Sequence, residues 1–273
     1  MTLAILGIGT AVPGTSVSQP EALNIARSLC CRTKEHETWL PTMYEGTGIR
    51  SRHFCFGADL VRDVLNGTKH SGSIFLPTGA ADDRGPTTAE RMHFYAESAP
   101  PLALAAANNA LAASGLQAAE LTHLITVSCT GFLAPGLDVA LIRGLGLAPT
   151  VQRTHVGYMG CHGAINGLRV ARAFADSDPG ARVLVCAVEL CSLHYHYGWD
   201  PQRMIANAIF GDGGRAGGIC RVWQHVVADG VVHPRSPAAR GRAAALRRAR
   251  LRAGSDGRRI VAALIRICRF WLR

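Results

Sequence analysis

The chain has 273 residues, is 48% hydrophobic and has a mean hydropathy of +0.13, values typical of a globular protein with one large or two moderate cores. No apolar run is long enough to span a bilayer, and the start MTLAILGIGTAVPG lacks the basic segment of a signal peptide, so we expect a cytoplasmic protein. Nine cysteines without a CxxC pair or metal-ligand spacing predict reduced, mostly buried thiols and no bound metal.

The net charge of +10 comes from one end of the chain. Residues 1–214 carry 15 Lys and Arg against 17 Asp and Glu, whereas residues 215–273 carry 14 Arg and only two acidic residues. The first 214 residues therefore lack the excess of basic charge that indicates nucleic-acid binding. Any specific binding of nucleic acid would reside in the Arg-rich tail.

Strand and helix patterns alternate along the chain. Short apolar runs bounded by turn residues predict buried strands at 3–10, 121–129 and 181–190. Helical periodicity predicts helices at 20–31, 87–114 and 137–147, with Pro100-Pro101 marking a kink or a boundary inside the second. Residues 57–86 show no regular pattern. This alternation predicts an α/β fold with a largely parallel sheet covered by helices.

The stretch 150–178, TVQRTHVGYMGCHGAINGLRVARAFADSD, predicts a short strand, a glycine turn and a helix. Gly157, Gly160 and Gly163 bracket Cys161, which places the thiol at the tip of the turn and at the start of the helix. Amide groups and the helix dipole stabilise an anion there, which favours the thiolate that attacks acyl carbonyls. A buried packing role is the alternative, because cysteines in glycine turns are more often structural.

Two arginines fall close together in the segment MYEGTGIRSRHF, residues 43–54. If they lie on a loop, Arg50 and Arg52 present two guanidinium groups that could hold a phosphate. The alternative is that both are simply solvated.

Several motifs occur in a characteristic order: ILGIGTAVP (5–13), SCTGFLAPGLD (128–138), GYMGCHGAINGLRVAR (157–172), GARVLVCAVEL (180–190) and NAIFGDG (207–213). Together they resemble the chalcone synthase-like type III polyketide synthases of the thiolase superfamily, of a bacterial type. The resemblance covers residues 1–213. It implies that this segment is the N-terminal half of a thiolase-like αβαβα layered fold, followed by an atypical Arg-rich tail at 214–273.

The resemblance also implies roles for particular residues. Cys161 would accept the starter acyl group and carry the growing chain, and Phe210 would gate the active-site cavity. Ala134 would reach a dimer interface, and Arg50 and Arg52 would bind the phosphates of coenzyme A. Four further residues would line the cavity: Cys129, Thr130, Cys191 and His194. The implied substrates are acyl-CoA and malonyl-CoA, with no permanently bound cofactor, and the intact family is homodimeric.

The implied activity is that of an acyltransferase which condenses the Cys161-bound acyl group with decarboxylated malonyl-CoA. In this family a His and an Asn from the C-terminal half stabilise the enolate. This sequence has no Asn beyond Asn207, and His233-Pro234 is followed by Arg-Ser instead of the family's Gly-Gly. We therefore expect a truncated and impaired enzyme. The alternatives are an initiating enzyme like ketoacyl-ACP synthase III, which uses an acyl carrier protein, and a catalytically dead fragment or binding protein.

The tail is rich in Arg, Ala, Gly and Leu and has no Lys, a composition that GC-rich DNA yields in the wrong reading frame. A frameshift near residues 213–218 or a disordered tail is the favoured interpretation. A genuine basic arm that binds nucleic acid or an anionic membrane is the alternative. Since half of a thiolase-like fold leaves apolar surface uncovered, we also expect poor solubility or dependence on another chain.

Overall fold

The computed structural model describes residues 4–212 and the backbone of residues 259–264. Its centre is a five-stranded sheet in which every neighbouring pair of strands is parallel, which confirms the α/β prediction. From one edge to the other the strands are β1 (Ala4–Gly9), β7 (Arg259–Leu264), β6 (Arg182–Ala187), β4 (His123–Ser128) and β5 (Gln152–Gly157). A separate antiparallel pair consists of β2 (Thr15–Ser18) and β3 (Ser51–Phe54).

The described residues also form α-helices on both sides of this sheet. In chain order they are α1 (Gln19–Cys30), α2 (Lys34–Glu45), α3 (Ala58–Asn66), α4 (Thr88–Ser114), α5 (Leu137–Leu145), α6 (Gly163–Ser177) and α7 (Pro201–Ile209). None of them is both long enough and apolar enough to cross a membrane.

Helices α2, α3 and α7 lie where the sequence predicted no helix, and α4 differs at its two prolines. Helix α3 lies in the stretch where no pattern was assigned, and it buries Leu60 and Val64, which lie one turn apart. Helix α4 runs without interruption through Pro100 and Pro101, so a boundary between two helices at this point is wrong. The part of α4 that follows the prolines packs along β1.

Strand β1 and helix α4 approach each other unusually closely because both present small residues. A Cβ atom on Gly9 would lie 2.2 Å from the carbonyl oxygen of Ala106, and one on Gly7 would lie 2.5 Å from that of Ala110. Both alanines are completely buried. The two glycines of the ILGIGT motif therefore let the backbone of β1 pack directly against the backbone of the alanine-rich α4.

The sheet is covered on both faces, and its strands alternate between two hydrophobic clusters. Leu124 and Leu184 point toward the cluster that contains α4. Ile125 and Val185 point toward the cluster that contains α6. This arrangement of helix, sheet and helix is the layering expected for half of a thiolase-like fold.

Part of the Arg-rich tail lies inside the sheet. Strand β7 falls within the segment for which we expected a frameshift or disorder, yet it pairs in parallel with both β1 and β6. Val261 is in register with Gly7 on one side and Leu184 on the other. Residues 213–258 and 265–273, including His233-Pro234 and most arginines of the tail, lie outside the described residues.

Candidate active site

Cys161 lies where the chain passes from β5 into α6. A single 3₁₀ turn, Gly160–His162, carries the half-buried thiol directly before the first residue of α6. Tyr158 and Gly160 both have left-handed backbone angles, with φ of 58° and 59°. Glycine adopts this conformation readily, whereas at Tyr158 it is uncommon and marks a sharp change of direction. The predicted strand, turn and helix are therefore present.

The glycines at the start of α6 bring this turn close to β4. A Cβ atom on Gly163 would lie 2.8 Å from Cγ1 of Val127, and one on Gly167 would lie 3.0 Å from its Cγ2. Because the helix sits this close to the strand, the loop that follows β4 meets the Cys161 turn. The Sγ atom of Cys129 lies 3.5 Å from the carbonyl oxygen of Gly160.

A cavity of about 340 Å³ opens beside Cys161. It brings together six residues that the sequence assigned to the site: Cys161, Cys129, Thr130, Cys191, His194 and Phe210. Five further residues line it: Gly160, Glu189, Tyr195, Ala206 and Asn207. Asn207 is the first residue of the NAIFGDG motif, and this motif is the sequence feature that could have placed it near the cavity. The two exposed residues Ala134 and Arg50 are not part of this lining.

Glu189 fastens the loop after β4 to the end of β6. Its buried carboxylate accepts hydrogen bonds from the Cys129 amide at 2.9 and 3.1 Å and from the Thr130 amide at 3.0 Å. The Thr130 hydroxyl also donates to this carboxylate at 2.6 Å and accepts from the Leu190 amide at 2.8 Å. Two walls of the cavity are thus held at a fixed separation.

Burial of Glu189 has an electrostatic consequence. Removal from water raises the pKa of Glu189 to about 7, although the hydrogen bonds from Thr130 and Cys129 act in the opposite direction. Burial also raises the pKa of the Cys129 thiol, and the nearby charge of Glu189 adds to that increase. The thiol that neighbours the Cys161 turn is therefore kept protonated.

A second buried carboxylate, Asp212, supports the wall of the cavity that contains Cys191 and His194. It accepts hydrogen bonds from the amides of Cys55 at 2.6 Å and Ser192 at 2.7 Å and from the Ser192 hydroxyl. Burial raises the pKa of Asp212 to about 6. The aspartate of the FGDG sequence thereby fixes the 3₁₀ turn Cys191–His194 against the end of β3.

The expected pair of phosphate-binding arginines is not present as a pair. Arg50 is exposed, but Arg52 lies on β3 and is only 1% exposed. Its guanidinium donates inside the protein to carbonyl oxygens at the end of α7, including those of Asn207 and Phe210 at 2.6 and 2.9 Å. Arg52 therefore does not provide the solvent-facing phosphate site predicted from the sequence. The alternation of β3 explains why, since Arg52 and Phe54 point inward.

The histidine and the asparagine of this cavity are both engaged with backbone groups. The Nε2 atom of His194 lies 2.6 Å from the carbonyl oxygen of Thr130. The side-chain amide of Asn207 accepts from the His196 amide and donates to the His196 carbonyl, each at 2.9 Å. These contacts orient both side chains into the wall of the cavity.

Two further expectations concern cysteines and metals. Within the described part of the chain, none of the seven cysteines forms a disulfide. In that same part, no group of three or more His, Cys, Asp or Glu side chains is arranged to hold a metal ion.

Comparison with known proteins agrees with this fold. The family profile "Chalcone and stilbene synthases, N-terminal domain" matches residues 2–221. The chain belongs to this family of type III polyketide synthases, and its thiolase-like fold is the one that the family's solved structures share.

Curated relatives include "Alpha-pyrone synthesis polyketide synthase-like Pks18" of Mycobacterium tuberculosis, which is 32% identical over 215 residues, 78% of this chain and 50% of the relative. "Bisdemethoxycurcumin synthase" of Oryza sativa subsp. japonica is 33% identical over 216 residues, 78% of this chain and 51% of the relative. The solved structure of PKS-I from the brown alga Ectocarpus siliculosus has a TM-score of 0.65 at 32% identity, covering 77% of this chain and 53% of that one. The chain thus spans about half the length of the relatives that it matches.

Proposed function

We propose that Cys161 accepts an acyl group from acyl-CoA, the first half-reaction of a type III polyketide synthase. The observation that carries this proposal is the position of Cys161 at the N-terminal end of α6, facing a cavity of about 340 Å³. The helix end supplies amide groups and a favourable dipole for negative charge, and the cavity supplies space for an acyl chain.

The reaction is a transfer between two sulfur atoms. The Cys161 thiolate attacks the thioester carbonyl, the bond between that carbon and the sulfur of coenzyme A breaks, and coenzyme A leaves as a thiolate that takes up a proton. Cys129 also lines the cavity, but the raised pKa of its thiol leaves less of it as thiolate. It is therefore a poorer nucleophile for this step. We therefore assign the acyl group to Cys161, at the helix N-terminus, and not to Cys129.

Intact mass spectrometry of the full chain after incubation with hexanoyl-CoA tests the assignment. The expected result is a mass increase of one acyl group, which peptide mapping locates on Cys161 and which disappears in Cys161→Ser. Cys129→Ser and Cys191→Ser are matched controls that should retain it. An adduct on another cysteine, or none at all, contradicts the proposal.

A second candidate is a protein that is acylated but does not extend the acyl group. It is favoured by the contacts of His194 and Asn207, whose polar atoms face the Thr130 carbonyl and the His196 backbone. The Asn207 amide and Nε2 of His194 are engaged in these contacts, whereas decarboxylation of malonyl-CoA requires donors aimed at the enolate oxygen. The described residues therefore support acyl transfer better than condensation.

Addition of malonyl-CoA to the acylated chain separates the two candidates. A hexanoyl adduct that stays unchanged favours the acylated, non-extending protein, whereas adducts grown by two-carbon units show a full synthase. A requirement for malonyl-acyl carrier protein in place of malonyl-CoA would instead indicate an initiating ketoacyl synthase.

Assembly into a homodimer is proposed from family membership. Ala134 is exposed on the loop between β4 and α5, where a partner could reach it. Sedimentation equilibrium of the purified chain and of Ala134→Arg tests this role: a dimer that the charged variant dissociates supports it, and a wild-type monomer contradicts it.

A further inference from the structure

We propose that Arg52 is a positioning residue that holds Phe210 in place and thereby sets how large a group can reach Cys161. The inference deepens the proposed function, on which it rests for the nature of the group that enters. Arg52 itself is absent from the lining of the cavity and acts through the chain behind its wall.

The first step of the argument concerns the end of α7. The last carbonyl groups of a helix have no partners within the helix. The Arg52 guanidinium binds three carbonyls here, with Nη1 2.6 Å from Asn207 O and 2.9 Å from Phe210 O, and Nη2 2.6 Å from Ala208 O. A cation at this end of a helix is also favoured by the helix dipole.

The second step is that Gln19 links this contact to the rest of the fold. Its side-chain oxygen accepts from Nη2 of Arg52, and its side-chain nitrogen donates to Ala208 O at 3.4 Å and to Tyr44 O at 3.1 Å. Helices α1 and α2 and strand β3 are thus all connected to the end of α7 through one buried pair of side chains.

The third step is that the same turn forms one wall of the cavity. Ala206, Asn207 and Phe210 line it, and Arg52 contacts the carbonyl groups of the last two. The backbone is also packed directly on Arg52, since a Cβ atom on Gly211 would lie 2.8 Å from its Cβ. Displacement of the guanidinium therefore moves Phe210 without any change in the residues that touch the entering group.

Arginine is needed because its planar fork binds several acceptors at once. A lysine at position 52 keeps the positive charge but has a single ammonium group, which cannot reach three carbonyls in this geometry. Arg52→Lys is therefore expected to loosen the Phe210 turn while the charge is preserved.

The experiment measures access to Cys161 in the full chain with thiol reagents of two sizes, iodoacetamide and N-(1-pyrenyl)maleimide. Peptide mapping separates Cys161 from Cys129 and Cys191. In Arg52→Lys the ratio of the bulky to the small reagent's rate should rise at least about threefold, whereas Arg62→Lys, at an exposed position on α3, should leave it unchanged. A lower melting temperature with an unchanged ratio would show that Arg52 supports only the fold, and would overturn the inference.

A double-mutant cycle with Phe210→Ala distinguishes positioning from general loosening. Since this variant already opens the wall, Arg52→Lys should add little to the ratio in its background. If the full increase persists there, access does not depend on Phe210 and the inference fails. Should Arg52→Lys not fold, Gln19→Ala removes the acceptor that orients Nη2 of Arg52 and should change the ratio in the same direction.

The same variants also receive hexanoyl-CoA and palmitoyl-CoA, so that the two proposals fail separately. If no acyl-CoA modifies Cys161 but the labelling ratio rises as expected, the proposed function is wrong and the role of Arg52 stands. If Cys161 is acylated while both labelling and chain-length preference stay at the wild-type values, the role of Arg52 is wrong and the proposed function stands.

Discussion

The carboxylate of Glu189 binds both the backbone amide and the side-chain hydroxyl of Thr130, at 3.0 and 2.6 Å. This contact joins the loop after β4 to the end of β6, and the two segments form adjacent walls of the Cys161 cavity. The shape of the cavity therefore depends on a buried charge and on a hydroxyl group, and both can be tested.

Replacement of Glu189 by Gln should flatten the pH dependence of stability. The pKa of Glu189 is about 7 in the folded chain, above its ordinary value of 4.5, so folding favours the protonated carboxyl. The contribution of Glu189 to the free energy of unfolding is complete below about pH 4.5 and is lost as the pH rises through 7. The total loss is on the order of 3 kcal/mol. The free energy of urea unfolding between pH 4.5 and 8 should show this decline in the wild type and a smaller one in Glu189→Gln, where the share of Asp212, whose pKa is about 6, remains. Equal pH profiles would contradict the prediction, and exposed Glu45→Gln is the control.

Removal of the Thr130 hydroxyl should destabilise the fold. Thr130→Val leaves the Leu190 amide without its acceptor and Glu189 without one donor. The expected loss is about 1–3 kcal/mol in urea unfolding, because a buried polar group without a partner is costly. Thr130→Ser keeps the hydroxyl and should lose much less. Similar losses for both variants would mean that the methyl group, and not the hydroxyl, matters.

Addition of a methyl group at Gly163 should push α6 away from β4. The new Cβ in Gly163→Ala would lie 2.8 Å from Val127 Cγ1, and we expect a destabilisation of about 1–3 kcal/mol. Gly14→Ala meets no atom within 4 Å and is the matched control. Combining Gly163→Ala with Val127→Ala should cost less than the sum of the single changes by at least about 0.5 kcal/mol. Strict additivity in urea unfolding would show that the two residues do not clash.

A proline at position 261 should disrupt the centre of the sheet. Strand β7 lies between β1 and β6, and a proline there cannot donate a backbone hydrogen bond. In Val261→Pro, hydrogen exchange of the amides of β1 should accelerate at least about tenfold, whereas Val261→Thr keeps the donor and should leave exchange slow. Unchanged exchange in the proline variant would exclude β7 from the sheet in solution.

Much of the site could be predicted because its information is local. The glycines around Cys161 specify a turn, and the pattern after it specifies a helix, so the strand, turn and helix follow from about thirty consecutive residues. The family motifs then named Cys129, Thr130, Cys191, His194 and Phe210, and all of them lie with Cys161 around one cavity.

Other features could not be predicted because they depend on which segments meet. The phosphate role of Arg52 rested on its neighbour in sequence, Arg50, but the inward side of β3 carries Arg52 to the end of α7, 155 residues away along the chain. Helix α3 was missed although it is as long as the predicted α5, because it is the one helix within the otherwise irregular stretch 57–86. The contact between Glu189 and Thr130 joins segments separated by 59 residues, and no local pattern encodes it.

The sequence by itself determined the α/β class, the alternating strands and helices, the family and the position of Cys161 in a tight turn, because these depend on periodicity and on short motifs. Only the tertiary structure decided that Glu189 and Asp212 hold the cavity walls, that Arg52 faces the interior and that β7 lies between β1 and β6. The physical reason is that burial and hydrogen-bond partners are properties of the packed chain, since desolvation of a carboxylate or a guanidinium depends on every segment that surrounds it.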